Sequence, residues 1–163
     1  DPGQLVLGAP LYTRAWQGAA DGGDGGYAES TSGAAPGTFE KGVYDYKDLL
    51  GQVQDPANGW QLYWDDTAQA SYVYQPSTGI FSSFETPSSI AQKSEWATAL
   101  GLGGMMFWDI TNDALDSSES LLKAAYDSWV LDDDFATIRE RSSLTNEIIV
   151  GGDGSIGSLP LLE

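Results

Sequence analysis

The sequence predicts an α/β fold in which a small α+β piece interrupts the last part of an alternating β/α pattern. Two short runs that are apolar on both faces predict buried parallel strands, QLVLGAPL at residues 4–11 and GGMMFWDI at residues 103–110. Apolar residues recur at helical spacing on both sides of the second run, as a β/α unit requires. Two parallel strands do not complete such a sheet, so we expect other sequence to complete it.

The segment between the two strands changes in composition along its length. Residues 17–38 carry seven of the 20 glycines and almost no apolar period, which predicts a loop. The elements predicted after this loop are a short helix at 43–50, strands at 60–64, 71–74 and 80–84, and a turn at 76–79. We therefore expect a small, aromatic-rich α/β piece at residues 39–84.

Two helices are predicted around the second strand. Thr86 followed by Pro87 has the chemistry of a helix start, and Gly101 ends the helical spacing. The spaced positions of this helix are Ile90, Ser94, Ala97 and Leu100. The string Ser117-Ser118-Glu119 predicts the start of the other helix. Its predicted apolar stripe comprises Leu121, Leu122, Ala125, Tyr126 and Trp129.

The two ends of the chain differ from the rest of the sequence. Residues 132–163 begin with an Asp132–Asp134 run and are largely polar, which predicts a linker or the start of another module. A hairpin is expected around residues 151–154. The chain starts at Asp1 without a start Met or a leader, so we expect a processed or excised piece.

Composition excludes several classes of function. Only 7 Lys and Arg stand against 24 Asp and Glu, for a net charge of -17, so no nucleic-acid partner is expected. The lack of His and Cys excludes a Ser-His-Asp triad, His-ligated zinc and thiolate chemistry. No apolar run approaches the ~20 residues of a membrane span, so no membrane partner is expected. The Asp65-Asp66 and Asp132–Asp134 strings lack a calcium-loop pattern, and no metal or cofactor is predicted.

The residues that follow the two predicted strands carry the candidate chemistry. The first strand ends in LYTRAW at residues 11–16, and the second ends in FWDITND at residues 107–113. Since active sites of α/β barrels lie at the carboxyl ends of the strands, both ends would present an aromatic and a charged or amide group to one rim. A sugar ring needs such a set, because one face stacks while its hydroxyls form hydrogen bonds. The same spacing is equally consistent with Tyr12 and Trp108 being core or capping residues.

Four blocks of the sequence stand in an order that is found in a known family. They are QLVLGAPLYTRAW, GTFEKGVYDYKDL, YWDDTAQASYVY and STGIFSSFETPSSIAQKSEWATALGLGGMMFWDI. Together they resemble the carboxyl-terminal part of a family-18 glycoside hydrolase, a chitinase, over roughly residues 4–130.

The resemblance implies the carboxyl-terminal portion of a (β/α)8 TIM barrel that carries an inserted small α+β domain. Residues 1–14 would hold the seventh barrel strand, and residues 85–131 would hold a helix, the closing strand 103–110 and a further helix. Residues 15–84 would be the chitinase insertion domain, which forms one wall of a deep substrate groove.

The resemblance also implies substrate-binding residues. Trp108 matches the family's tryptophan at the end of the last strand, the floor under the sugar next to the cleaved bond. Tyr12 and Arg14 match a Tyr-x-Arg motif that lines the same subsite, although Thr13 stands where the family usually has Gly.

Three further positions carry over from the same resemblance. Phe39 and Glu40 match an aromatic–acid step of the insertion that contacts substrate. Asp109 stands where Glu is frequent in the family, and it too is assigned to substrate binding.

The catalytic signature of the family, Asp-x-x-Asp-x-Asp-x-Glu, is missing from this sequence. The nearest string runs from Asp21 to Glu29, with Gly26 and Ala28 at two of the four required positions, and it lies in the Gly-rich loop. Glu29 is therefore expected to be a solvated acid. The Met-x-Tyr-Asp motif is missing too, so we expect the acid and the acetamide-orienting Tyr–Asp pair upstream of residue 1.

These matches imply part of a chitinase that cleaves β-1,4-linked N-acetylglucosamine polymers by a substrate-assisted, retaining mechanism. This chain would supply the floor and wall of the groove and be inactive alone. Its expected partners are chitin or N-acetylglucosamine oligosaccharides and the upstream part of the same barrel, in a secreted, extracellular protein. Two alternatives stay open: a non-catalytic, chitin-binding relative, and a purely structural role for the aromatic residues.

Overall fold

The computed structural model describes residues 1–129, 147–149 and 156–158. In this part of the chain the helices are α1 (Tyr46–Gln54), α2 (Pro87–Ala99) and α3 (Leu121–Ser128). The strands are β1 (Val6–Pro10), β2 (Ala15–Gln17), β3 (Gly33–Ala34), β4 (Gln61–Asp65), β5 (Ala70–Gln75), β6 (Ile80–Ser83), β7 (Gly104–Trp108), β8 (Glu147–Ile149) and β9 (Ile156–Ser158). Short 3-10 helices cover Pro2–Gln4, Pro56–Asn58 and Ile110–Asn112.

The two predicted parallel strands are confirmed as β1 and β7. They pair in parallel, in a register that runs from Val6 opposite Gly104 to Pro10 opposite Trp108. The side chains of Ala9, Met105 and Phe107 belong to or pack against the core, where α2 lies against β7. This is the β/α arrangement that the apolar runs predicted.

The prediction that both strands are buried on both faces is wrong for the described residues. Val6 is 57% exposed and Leu5 is 61% exposed. Met106 and Trp108, which share the outer face of the pair with Val6, are also exposed. Since the sheet has only two strands here, one face packs on the core and no described residue covers the other.

The inserted piece is a five-stranded antiparallel sheet in the order β3-β2-β6-β5-β4. The predicted strands β4, β5 and β6 and the turn at 76–79 are confirmed within one residue at each end. Strands β2 and β3 were not predicted, and the loop prediction for residues 17–38 is wrong at β3, which pairs with β2. The Gly-rich loop folds against the aromatic side chains of this sheet, and a Cβ on Gly25 would overlap the ring of Tyr63. The hydroxyl of Tyr72 donates to the carbonyl of Asp24 at 2.7 Å. Glycine is therefore needed in this loop for close approach to aromatic rings.

Helix α1 begins later than predicted. Residues 43–45, which the sequence assigned to the helix, are extended because Tyr12 forms an antiparallel bridge with Asp45 and Glu40 forms one with Val43. The helix starts at Tyr46, whose side-chain hydroxyl donates to the carbonyl of Glu119 at 2.9 Å.

The predicted start of α2 is confirmed. The Thr86 hydroxyl accepts from the backbone N–H of Ser89, and the Ser89 side chain accepts from the N–H of Thr86, which completes a capping box. Gly101 lies just past the helix end with φ +68°, which favours glycine. Of the four spaced positions, Ile90, Ser94 and Ala97 are buried, whereas Leu100 lies just past the end of the helix and is 48% exposed.

Helix α3 begins at Leu121 rather than at 117–119. Asp113 sets this start, because its carboxylate accepts from the N–H groups of Leu121 and Leu122 and from the hydroxyl of Ser120. The predicted apolar stripe fails at Tyr126, which is 75% exposed. A hydrogen bond joins α2 to α3, in which the hydroxyl of Ser94 donates to the carbonyl of Ala125.

Most of residues 132–163, including Asp132–Asp134, lie outside the described residues, and the linker prediction for them stays a prediction. Strands β8 and β9 pair antiparallel, as expected for the hairpin around residues 151–154. In the part of the chain that the structure covers, no helix is both long and apolar enough to cross a membrane.

Candidate functional site

The site forms where the carboxyl ends of β1 and β7 meet the inserted sheet. Parallel pairing brings Pro10 opposite Trp108, and the N–H of Leu11 donates to the carbonyl of Trp108 at 2.8 Å. The chain then continues into a bridge between Tyr12 and Asp45, so that the start of α1 lies beside the strand ends. The convergence of the two strand ends was predicted from the sequence and is confirmed.

An open groove of about 250 Å³ lies at this junction. The residues that line it are Tyr12, Arg14, Glu40, Val43, Asp45, Trp108 and Asn112. Four of the six predicted site residues therefore come together, while Phe39 and Asp109 lie outside the lining. The groove combines an aromatic side chain with cationic, anionic and amide groups.

Trp108 is the most open aromatic side chain of the groove, since 67% of it is exposed. Tyr12 is half-buried, and the guanidinium carbon of Arg14 lies 5.3 Å from the centre of its ring. A cation at this distance is attracted by the face of the ring. Trp108 therefore does not belong to the core of the described residues, and Tyr12 and Arg14 contact each other in the same groove.

Backbone pairing fixes the segment that carries Arg14. Its N–H donates to the hydroxyl of Ser83 and its carbonyl accepts from the N–H of Ser83, both at 2.9 Å. The preceding residue, Thr13, is buried and its hydroxyl accepts from Ser82 at 2.9 Å. The threonine that departs from the family's Gly therefore belongs to the buried junction with β6 rather than to the groove lining.

Glu40 reaches the groove because of a tight turn. The N–H of Thr38 donates to the carbonyl of Val43, and the N–H of Val43 donates to that of Glu40. Gly37 makes the turn possible, since it has φ +81° and a Cβ there would overlap the carbonyl oxygens of Glu40 and Val43. Phe39, at the tip of the turn, is 93% exposed.

Asp109 has a local structural role next to the groove. Its carboxylate accepts from the backbone N–H of Thr111 at 2.9 Å and from the Thr111 hydroxyl, which caps the 3-10 helix Ile110–Asn112. The peptide bond between Trp108 and Asp109 is cis.

Sequence reasoning missed Val43 and Asp45 as groove residues. Asp45 is only 8% exposed, and burial raises the pKa of its carboxyl group, with the charges of Asp48 and Asp109 adding to the effect and that of Lys47 opposing it. In the sequence, Asp45 is an acid at the start of a helix, a position that indicates a helix N-cap rather than a binding residue. Asn112 did stand in the string that follows the second strand, but no role was assigned to it.

Of the two carboxylate-rich strings, the structure describes only Asp65-Asp66. Among the described residues, no group of three or more acids that could hold a metal ion was found. Asp65 instead organises a turn: the backbone N–H of Ala68 and the hydroxyl of Tyr27 hold the pKa of its carboxyl group below its usual range. Glu29 is exposed, as predicted for a solvated acid.

Comparison with known proteins places the chain in a family. The sequence profile described as "Glycosyl hydrolases family 18" matches residues 1–113. The chain belongs to this family. Similar members include chitinase A1 of Niallia circulans, 39% identical over 121 residues that cover 74% of this chain and 17% of that protein. Chitinase 1 of Aphanocladium album is 36% identical over 123 residues, which cover 76% of this chain and 26% of that protein.

Solved chitinase structures share the fold of this chain. A group IV chitinase of Ostrinia furnacalis superposes with a TM-score of 0.69 at 25% identity, over 78% of this chain and 36% of that one. A class V chitinase mutant of Cycas revoluta, in complex with (GlcNAc)3, superposes with a TM-score of 0.67 at 27% identity, over 80% of this chain and 35% of that one. These neighbours imply a TIM-barrel-type fold, of which the described residues form a partial α/β piece. The chain spans about a sixth to a quarter of the length of these curated relatives.

Proposed function

We propose that this chain supplies the floor and one wall of the substrate groove of a chitinase, which hydrolyses β-1,4-linked N-acetylglucosamine polymers. The observation that carries the proposal is the convergence of Tyr12, Arg14, Glu40 and Trp108 on one groove at the strand ends. Membership of family 18 supports it, as do relatives named chitinases and a solved neighbour in complex with (GlcNAc)3.

The groove residues have separate roles in this proposal. Trp108 stacks against the apolar face of the sugar next to the cleaved bond, with the exposed part of its ring. Arg14, held over the ring of Tyr12, donates hydrogen bonds to sugar oxygens. Glu40, on the wall of the groove, accepts hydrogen bonds from the sugar, while the exposed Phe39 contacts a more distant sugar at the rim. Asp109 supports Trp108 by fixing the turn that follows it.

Positioning is the contribution of this chain to the reaction. In the substrate-assisted, retaining mechanism, the N-acetyl oxygen of the substrate attacks the anomeric carbon while a glutamic acid protonates the leaving oxygen. The resulting glutamate then deprotonates the water that attacks the anomeric carbon and opens the ring formed by the N-acetyl group. Holding the sugar in an attacking geometry matters, since a misplacement of about 1 Å can cost roughly 100-fold in rate. The proton donor is not among the residues of this chain, because the Asp-x-x-Asp-x-Asp-x-Glu motif is missing from it.

The remaining parts of the chain fit the same proposal. Residues 15–84 serve as the insertion domain that walls the groove, and 132–163 as a linker or the start of another module. The exposed apolar side chains of Val6 and Met106 on the outer face of β1 and β7 are covered by the upstream part of the same barrel. The protein acts outside the cell, and neither metal nor cofactor takes part.

A second candidate is a non-catalytic protein that binds chitin oligosaccharides through the same groove. The groove residues of this chain fit it equally well, because binding needs only the floor and the wall. The two candidates predict the same affinity determinants and differ only in turnover.

Product analysis with chitin oligosaccharides tests the proposal and separates the candidates. The protein at its full natural length should release shorter oligosaccharides with retained anomeric configuration. Saturable binding without products would instead establish the non-catalytic candidate. Absence of both binding and turnover would contradict the proposed groove function altogether.

A further inference from the structure

The carboxyl group of Asp45 lies at the groove without a hydrogen-bonding partner among the described residues. The residue as a whole is 8% exposed, and it lines the groove. Asp45 occupies the residue before α1, where an aspartate side chain ordinarily accepts from the N–H two or three residues later. Here it makes no such bond. The usual structural explanation for an acid before a helix therefore does not account for this side chain.

The backbone of Asp45, unlike its carboxylate, is fully engaged. Its N–H donates to the hydroxyl of Thr38 at 3.0 Å, and its carbonyl accepts from the N–H groups of Asp48 and Leu49. The bridge with Tyr12 adds strand-like pairing on the other side. Since the main chain fixes the position of the residue, the side chain is free to serve the groove.

An ionised carboxylate in this place costs the folded state stability. Burial raises the pKa of the Asp45 carboxyl group, and the negative charges of Asp48 and Asp109 raise it further, while Lys47 lowers it. The stability that this group contributes is complete below the unfolded-state pKa of about 4 and is lost as the pH rises through the higher folded-state value. Residues that cost stability at working pH are expected where function requires them.

We propose that Asp45 is a substrate-binding residue, whose carboxylate accepts a hydrogen bond from a hydroxyl or amide N–H of an N-acetylated sugar stacked on Trp108. This inference rests on the proposed function and adds a residue to it. A neutral donor fits better than a metal ion, because no cluster of acids suited to a metal was found in the described part of the chain. Arg14, on the same groove, limits the negative potential that Glu40 and Asp45 create together.

The test compares Asp45→Ala and Asp45→Asn with Asp48→Ala in the protein at its full natural length. Asp48 is exposed on the first turn of the same helix, so its substitution removes a nearby charge without touching the groove. Binding of the N-acetylglucosamine trimer is measured by calorimetry, and stability by urea unfolding at pH 7. We expect Asp45→Ala to weaken binding by about 10-fold or more and Asp48→Ala to change it less than about 2-fold.

The two measurements separate a binding role from a structural one. If Asp45 serves the substrate, Asp45→Ala weakens binding while it maintains or raises the urea midpoint, because a partly desolvated charge without a hydrogen-bonding partner is removed. Should Asp45→Ala lower the midpoint, Asp45→Asn decides. A folded Asp45→Asn variant that binds about 3-fold or more weakly supports the inference, because charged acceptors form the stronger hydrogen bonds. Equal binding by that variant overturns it.

Dependence on pH gives a readout that a structural residue would not move. Affinity should fall as the pH is lowered and Asp45 takes up a proton, and Asp45→Asn should remove part of that fall. Arg14, Glu40, Asp109, Lys47 and Asp48 are the other charged groups around the carboxyl, and they are the same in both proteins. If Asp45 variants bind normally while Trp108→Ala does not, only this inference is wrong. If the unsubstituted protein does not bind, the proposed function fails with it.

Discussion

Replacing Trp108 with alanine should weaken oligosaccharide binding substantially, and the structure allows the size of the loss to be worked out. Trp108 is 67% exposed. A tryptophan presents up to about 250 Å² of largely apolar surface, so roughly 170 Å² of it is open. A sugar that covers one face would bury about half of that area, roughly 80 Å². At about 25 cal/mol per Å² this burial contributes about 2 kcal/mol. The expected effect of Trp108→Ala is therefore a rise of about 30-fold in Kd.

The assay is a titration of N-acetylglucosamine oligomers followed by calorimetry, which does not depend on the removed fluorophore. Trp96 provides the matched control, because it is 47% exposed on α2 but does not line the groove. Trp96→Ala should leave the Kd within about 2-fold and the unfolding midpoint close to that of the unsubstituted protein. Equal effects of the two substitutions would refute the assignment of Trp108 as the floor. A folded Trp108→Ala variant with unchanged Kd would refute it as well.

Three further outcomes follow from the same structure. Gly37→Ala should lower the free energy of unfolding by more than about 2 kcal/mol, because a Cβ would overlap two carbonyl oxygens at a positive φ. In contrast, the Cβ of Gly51→Ala in α1 meets no atom within 4 Å, so this substitution should raise the free energy of unfolding by about 0.5–1 kcal/mol. Denaturant unfolding checks this pair, and equal changes would contradict the turn geometry. Asp113→Ala should cost about 2 kcal/mol, since three donors at the start of α3 lose their acceptor, and an unchanged urea midpoint would show that the cap is dispensable. The 163-residue polypeptide by itself should release no product from chitin oligosaccharides, because it lacks the proton-donating motif, and saturable turnover in a purified sample would overturn that expectation.

The elements of the fold could be predicted where local chemistry decides them. The Thr86-Pro87 start of α2 and the turn at 76–79 depend on capping and turn residues, which act within a few positions of the chain. The start of α1 could not be predicted in this way. It depends on a bridge between Tyr12 and Asp45, which are far apart in the sequence and meet only in the folded chain.

The burial of individual side chains was the weakest part of the sequence interpretation. The apolar run at residues 4–11 indicates a strand covered on both faces, but Val6 is exposed in the described residues. An apolar pattern reports the surroundings for which a strand is suited and does not show which part of a protein provides them. Tyr126 on α3 was misassigned for a similar reason, since helical spacing cannot tell a core stripe from an exposed one.

The candidate site was predicted in part, because strand-end geometry decides some of its residues and the folded chain decides others. Strand ends of a parallel pair must share one edge, and this rule brought Tyr12, Arg14 and Trp108 together from the sequence. The contribution of Glu40 came from the resemblance. Asp45 was missed because its position before a helix offers a sufficient local explanation, and only its burial and its unused carboxylate point to the groove.

The central claim, that this groove binds N-acetylglucosamine oligosaccharides on Trp108, can be tested most directly by NMR of the tryptophan indole groups. The chain has 6 tryptophans, so selective ¹⁵N-indole labelling gives few signals, which single substitutions can assign. On addition of the N-acetylglucosamine trimer, the indole signal of Trp108 should shift in a saturable way, while that of Trp96 stays in place. A saturable shift confined to other tryptophans, or no shift of Trp108 at full occupancy, would contradict the account.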